Sequence, residues 1–136
     1  MISSDVAFAL NASGLVWRPT AGDRFLIHRD DFESEVFTLS DMTIEAHDYP
    51  TGTVLGFNGT TEWALDSVAL EDSLWLPRED QLRELIGDRF RSLTRTGEGF
   101  AVEIDQGGKT TVFTAADPAD AYARALLALI SASALA

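Results

Sequence analysis

The sequence predicts an α+β fold in which two small antiparallel β-meanders carry three or four helices packed on one face. Short runs of β-branched and aromatic residues, separated by glycine-containing turns, occur in two parts of the chain and are typical of antiparallel strands. Apolar residues at helical spacing occur near both ends. The length of 136 residues fits a single domain, residues 1–136, with its own hydrophobic core.

The first half of the chain is predicted to contain one helix and four short strands. Ser3 or Ser4 can cap the helix, and Gly14 ends it. The strands are expected at residues 25–27, 36–39, 42–48 and 53–59. The third strand alternates in "MTIEAHD", and "YPTG" has the proline and glycine of a β-turn. The last three strands are therefore expected to form the first meander.

The second half is predicted to contain the second meander between two helices. Before it, the segment around Trp63 suits a short helix or an irregular strand. Pro77 and Gly87 then bound a helix. Three strands in "RFRSLTR", "FAVEI" and "TTVFTA" are joined by the turns "TGEG" and "DQGG". Asp117 caps a last helix that begins at Pro118.

The tetrapeptide GDRF occurs twice, at residues 22–25 and 87–90, and each copy leads into a predicted strand. A duplicated unit would explain this and would divide the chain into residues 1–60 and 77–136. The residues around the two copies agree poorly, whereas true repeats show sustained similarity. The sequence therefore favours one domain and leaves the two-unit organisation open.

The chain has 22 acidic and ten basic residues, a net charge of −12, and no cysteine. Such a negative field repels nucleic acid and anionic membranes, and it attracts basic proteins. The absence of cysteine excludes disulfides and thiolate metal sites and agrees with a cytoplasmic location. The N-terminus lacks the positive region of a signal peptide. Solubility is the more ordinary role of such a charge. We expect a cytoplasmic protein that binds another protein, a basic one if the charge is used in binding, and a homodimer is left open.

A nucleotide site is considered because "GGKT" at residues 107–110 resembles the end of a phosphate-binding loop. The first glycine of that loop would fall at position 103, which is Glu103. The residues after Thr110 are β-branched and aromatic, so they predict a strand where the phosphate loop requires a helix. The stretch is therefore predicted to be a hairpin turn, and no cofactor is expected.

Catalytic candidates are few, because the chain has only two histidines. Glu45 and His47 are two residues apart on one predicted strand and so share a face, where they could share a proton or hold a metal ion. Asp41 and Asp48 lie near them in sequence, and Glu62 and Asp66 are two further carboxylate candidates. Such polar strand faces are more often simply solvated. The sequence therefore predicts no metal site and favours a non-enzymatic role, with Glu45, His47, Glu62 and Asp66 as the catalytic candidates.

Arginines and tryptophans supply the binding candidates. Arg89, Arg91 and Arg95 are expected to line one side of a strand, where they would bind an anion or an acidic peptide, or pair with glutamates across the sheet. Trp17 and Trp63 are candidates for interface residues, although a core position is the ordinary role of tryptophan.

Three stretches carry a resemblance to a known family: "VFTLSDMTIEAHDYPTGTVLGFNGTTEWALDSV", "LWLPREDQLRELIG" and "DPADAYARALLALI". Together they resemble a family of short, uncharacterised bacterial proteins, some of which are labelled as a pilus-assembly protein. The resemblance implies no catalytic activity, because the phosphate-binding loop of the pilus ATPase is absent. It implies an accessory role in a pilus or secretion system.

Three functional hypotheses follow. The first is a small acidic binding or adaptor protein. The second is an immunity or inhibitor protein that covers the basic site of a toxin or nuclease. The third is an enzyme with a carboxylate and histidine site near Glu45 and His47. The sequence favours the first, because its charge is pronounced and its chemistry-bearing side chains are scattered.

Overall fold

A computed structural model describes the backbone of residues 1–27, 36–39, 45–49, 52–56, 67–69 and 73–135, and the side chains of residues 1–27, 36–39 and 73–132. The helices in these ranges are α1 (Ser4–Ala12), α2 (Glu79–Ile86) and α3 (Pro118–Leu135), with a short 3-10 helix at Gly87–Arg89 after α2. The strands are β1 (Arg24–Ile27), β2 (Val36–Thr38), β3 (Glu45–Tyr49), β4 (Gly52–Gly56), β5 (Ser67–Ala69), β6 (Ser73–Leu76), β7 (Phe90–Thr96), β8 (Gly99–Gln106) and β9 (Lys109–Ala115). The predicted α+β class is confirmed.

The strands form three three-stranded sheets, in the orders β2-β1-β6, β3-β4-β5 and β7-β8-β9. The last two are antiparallel meanders of consecutive strands. The prediction that residues 36–39 belong to the first meander is wrong, because β2 pairs with β1. Phe25 and Phe37 lie opposite each other in that pair, and their rings stack at 5.6 Å between centroids. This aromatic contact holds β2 on β1.

The chain divides into two compact units, one made of residues 1–16 and 76–136 and the other of residues 17–75. In the first unit α3 packs across β8 and β9, and α1 and α2 pack against α3. Val102 and Ile104 of β8 are fully buried beneath it. The helices of this unit therefore cover one face of its sheet, as predicted.

The ends of α2 and α3 follow the predicted signals with one shift, whereas the predicted cap of α1 is not formed, because the N-cap Ser3 makes no side-chain capping bond. The amide of Ala119 donates to Asp117 Oδ1 at 2.8 Å, which confirms the cap of α3. Helix α2 begins at Glu79, so Pro77 lies before its first turn. The amide of Arg78, the N-cap of α2, donates to the Gln81 side chain at 2.9 Å.

In the second unit the core of the sheet β2-β1-β6 is formed by buried residues of β1 and β6. Phe25 and Ile27 alternate with the half-buried Arg24 and Leu26, and Leu74 is buried on β6. The segment around Trp63, which suited a short fourth helix, lies outside the described residues except for β5. No helix in the described part of the chain is long and apolar enough to cross a membrane.

The turn "DQGG" is a two-residue hairpin turn, as predicted. Gly107 and Gly108 both have positive φ, +64° and +87°, and Gln106 pairs with Lys109 across the turn. Positive φ at both central residues is the conformation that glycine adopts without steric cost.

Candidate binding surface

The face of the sheet β7-β8-β9 opposite α3 has exposed side chains on its outer strands, β7 and β9, and half-buried side chains on the central strand β8. Val102 and Ile104 point toward α3, so the alternating residues of β8 and their neighbours across the sheet lie on the other side. We call this side the open face. Its side chains are those of Arg91, Ser92, Thr94, Thr96, Ala101, Glu103, Asp105, Thr110, Val112 and Thr114.

Charged groups on the open face are held by hydrogen bonds. Arg91 Nη2 donates to Asp105 Oδ2 at 3.2 Å, and its Nη1 donates to the carbonyl of Asp88 at 2.7 Å. Ser92 Oγ donates to Glu103 Oε2 at 3.2 Å, and the Gly108 amide donates to Asp105 Oδ1 at 2.9 Å. Both carboxylates are therefore fixed by donors of their own sheet, which limits their freedom to rearrange around a ligand.

The β9 side of the open face is uncharged. Val112 stands at its centre with 49% of its surface exposed, between the exposed Thr110 and Thr114. Valine and threonine favour strands because their branched side chains fit a pleated surface. The open face therefore has a charged half on β7 and β8 and a neutral half on β9.

The predicted arginine ladder is not formed, and the prediction that three arginines line one side of a strand is wrong. Arg89 lies in the 3-10 helix before β7. The register of β7 shifts between Phe90 and Ser92, and this bulge turns Arg91 toward Asp105. Arg95 lies opposite Phe100, on the side that faces α3. The three arginines therefore cannot bind one ligand along a single face.

The catalytic candidates lie where the structure describes little. Glu45 and His47 are on β3, at register positions opposite Gly56 and Val54, and only their backbone is described. Glu62, Trp63 and Asp66 lie outside the described residues. Among the described residues, no three histidine, aspartate or glutamate side chains are grouped as metal ligands.

Trp17 is a core residue and does not line a binding surface, since it is 7% exposed. Its Nε1 donates to Asp23 Oδ2 at 2.9 Å, and the amide of Thr20 donates to the same oxygen at 3.0 Å. Asp23 is 1% exposed, which makes it a buried carboxylate that the sequence analysis missed. Its signal was the spacing Thr20-x-x-Asp23, in which the aspartate accepts bonds from a turn that precedes it.

Two pKa shifts occur outside the open face. Hydrogen bonding from Arg78 to Asp80 Oδ1, at 3.1 Å, lowers the pKa of Asp80 below its usual range. Burial raises the pKa of Tyr122, whose ring stacks on Phe90 at 5.7 Å. Arg83 lies over the same Phe90 ring at 4.4 Å. The contacts of Arg83 and Tyr122 with Phe90 join α2 and α3 to the sheet, so we assign these two contacts to packing.

Trp17 and Trp75 stack on each other, and comparing their substitutions tests the hydrogen bond between Trp17 and the buried Asp23. The two ring centroids are 6.5 Å apart, but Trp75 Nε1 is buried and has no hydrogen-bond partner among the described residues. We expect Trp17→Phe to lower the free energy of unfolding by about 2 kcal/mol, because Asp23 loses a donor. Trp75→Phe should change it by less than about 1 kcal/mol, because it removes an unpaired donor. Urea unfolding of both variants measures the difference, and equal losses would contradict this role of Asp23.

Comparison with known proteins identifies no relative. No family model matches the chain, and no curated protein or solved structure is significantly similar to it.

Proposed function

We propose that this chain is a small acidic binding protein that acts in the cytoplasm as an adaptor for a positively charged protein. The unequal charge of its two units carries this proposal. Residues 17–75 contain 12 acidic and three basic residues, a net charge of −9. The other unit, although longer, contains ten acidic and seven basic residues, a net charge of −3. Three quarters of the net charge thus belongs to the smaller unit.

A charge concentrated in this way attracts a basic partner from a distance. The screening length is about 8 Å at physiological ionic strength, so a partner is attracted mainly by the charges nearest to it, and their density along the chain is higher in the smaller unit. Such fields accelerate association and select partners of opposite sign. Asp23 is buried and bonded to Trp17 and Thr20 inside the unit, so the proposal does not count it among the residues that attract the partner.

An adaptor of this kind is compatible with an accessory role in a pilus or secretion system. The same charge concentration favours a second candidate, an immunity protein that covers the basic site of a toxin or nuclease, because such a site binds polyanions. The identity of the basic partner distinguishes the two: a structural or secretion component supports the adaptor, and a toxin or nuclease supports the immunity protein.

Two charge-matched variants test where the partner binds. The first neutralises four acidic residues in the smaller unit: Asp30→Asn, Asp31→Asn, Glu33→Gln and Glu35→Gln. The control neutralises four exposed acidic residues in the other unit: Asp5→Asn, Glu84→Gln, Asp88→Asn and Glu98→Gln. Each variant has a net charge of −8 in place of −12. A difference between them therefore depends on position and not on total charge.

The partner is first captured from cells of the source organism at low ionic strength and purified, and its affinity for the three proteins is then measured by calorimetry. We expect the first variant to bind at least about ten-fold more weakly, which corresponds to about 1.4 kcal/mol, and the control to change by less than three-fold. The difference should disappear near 1 M salt, where the screening length is about 3 Å. An affinity that is independent of salt, or equal losses in both variants, would refute the proposal.

A further inference from the structure

The two outer edges of the sheet β7-β8-β9 differ in how they are protected. Strand β7 carries Arg91 and Arg95 and is interrupted by a bulge, and both features discourage pairing with another strand. Strand β9 pairs with β8 in unbroken register over all seven residues, and its single charged residue is Lys109 at its start. Strand β9 is therefore the edge of this sheet that can pair with another strand.

The backbone groups at the outer edge of β9 follow from the hairpin. A two-residue turn is closed by a hydrogen-bonded pair, here Gln106 and Lys109, and hydrogen-bonded pairs then alternate along the strands. Thr111 and Phe113 consequently bond to β8, and the backbone of the alternate residues points outward. Arg124 Nη1 agrees with this direction, because it donates to the outward carbonyl of Thr114 at 2.6 Å.

The outward positions are Thr110, Val112 and Thr114, and their side chains lie on the neutral half of the open face. In the part of the chain that the structure describes, no strand pairs with this edge. The side chains of the three outward positions are exposed and uncharged, and the Thr114 carbonyl, which accepts from Arg124, has a second lone pair for another donor. A regular edge with high strand propensity is a template for another strand. A partner of this edge must supply an extended segment of backbone, and its side chains must pack against the uncharged side chains of β9.

We propose that β9 pairs antiparallel with β9 of a second copy, with Val112 opposite Val112 on a twofold axis. The outward sequence reads Thr, Val, Thr in both directions, so each Thr110 lies opposite Thr114 of the other copy. The two meanders then form one six-stranded sheet, and the half-exposed valines cover each other. The unit that contains β9 carries a net charge of only −3, which limits repulsion between copies.

Two substitutions to lysine test this pairing at equal charge. Val112→Lys places like charges opposite each other on the axis, whereas Val16→Lys adds the same charge at another exposed valine of the same unit, 69% exposed. Sedimentation equilibrium should show a concentration-dependent dimer for the wild type and for Val16→Lys. The dissociation constant of Val112→Lys should rise at least 100-fold.

A second variant, Val112→Pro, tests the same pairing if Val112→Lys fails to fold. Proline removes an outward N–H that β8 does not use, so the sheet should persist while the dimer weakens. Thermal unfolding monitored by circular dichroism checks that each variant is folded. A wild type that stays monomeric at millimolar concentration, or a dimer that survives both Val112 variants in folded form, would overturn the proposal. A monomer whose edge captures the strand of a different protein would overturn it equally.

The dependence on salt concentration distinguishes the pairing of β9 between two copies from the binding of a basic partner. Two copies of charge −12 repel each other, so added salt should leave the dimer unchanged or strengthen it. Binding of a basic protein should weaken under the same conditions. The dimer does not depend on the proposed function, and either proposal can fail while the other stands.

Discussion

Replacing Asp23 by alanine is expected to lower the free energy of unfolding by about 3 kcal/mol, which corresponds to a fall of about 10 °C in the melting temperature. Asp23 is 1% exposed and accepts from Trp17 Nε1 and from the amide of Thr20. Alanine leaves the buried Trp17 Nε1 and the partly buried amide of Thr20 without this acceptor. A buried donor that loses its partner costs about 1–3 kcal/mol, and bonds to charged acceptors are at the upper end.

Asp23→Asn is the matched control for this substitution. Its amide oxygen can accept from Trp17 and from the Thr20 amide, and its NH2 group can donate to Thr20 Oγ1, which lies 3.2 Å from Asp23 Oδ1. We expect a loss of about 1 kcal/mol from the asparagine variant, measured by urea unfolding at constant m-value. Equal losses from Asn and Ala would show that the charge, and not the acceptor geometry, stabilises this site.

We expect Asp23→Ala to destabilise more than the turn at residues 20–23, because Asp23 also bonds to other segments of the chain. Its carbonyl accepts from the Leu39 amide at 2.8 Å, and the Gly22 amide donates to the Leu39 carbonyl at 2.8 Å. These bonds join the start of β1 to the end of β2, while the carboxylate fixes Trp17 on the preceding segment. A single residue thus links three segments of the unit formed by residues 17–75.

The second meander and the last helix could be predicted because their signals are local. Gly107 and Gly108 determine a hairpin turn, and Asp117 followed by Pro118 determines a helix start, whatever surrounds them. Two strands of the first meander, β3 and β4, were predicted, but the third was wrong because β2 pairs with β1 and β5 pairs with β4. Such pairing is decided by residues distant in sequence. Strand β6 lies beside β1, although almost fifty residues separate them in sequence.

The surface was harder to predict than the fold. Strict alternation along β7 predicted one row of arginines, and a bulge at Arg91 broke that alternation without a glycine or proline to announce it. The repeated GDRF tetrapeptide shows the same limit. Asp23 in the first copy is buried and bonded, whereas Asp88 in the second copy is exposed. Identical local sequence therefore acquires opposite environments from the elements packed around it.

Ile104 lies in the other unit of the chain, which is made of residues 1–16 and 76–136. Replacing it by alanine should lower the free energy of unfolding by about 3 kcal/mol. Ile104 is fully buried on β8 beneath α3, and truncation there removes apolar contacts and leaves a cavity. The milder Ile104→Val removes one methyl group and should cost about 1 kcal/mol. A loss from alanine no larger than from valine would mean that the site collapses around the missing atoms.

The Ile104 variant also tests the prediction of a single domain, because two probes report on different units. All three tryptophans lie within residues 17–75, whereas α1, α2 and α3 belong to the other unit. Tryptophan fluorescence therefore follows the smaller unit, and far-ultraviolet circular dichroism is dominated by the helical one. In a single cooperative domain, Ile104→Ala shifts both transitions by the same amount, and Asp23→Ala does likewise. If Ile104→Ala moves the dichroism transition and leaves the fluorescence transition in place, the two units unfold separately and the chain contains two domains.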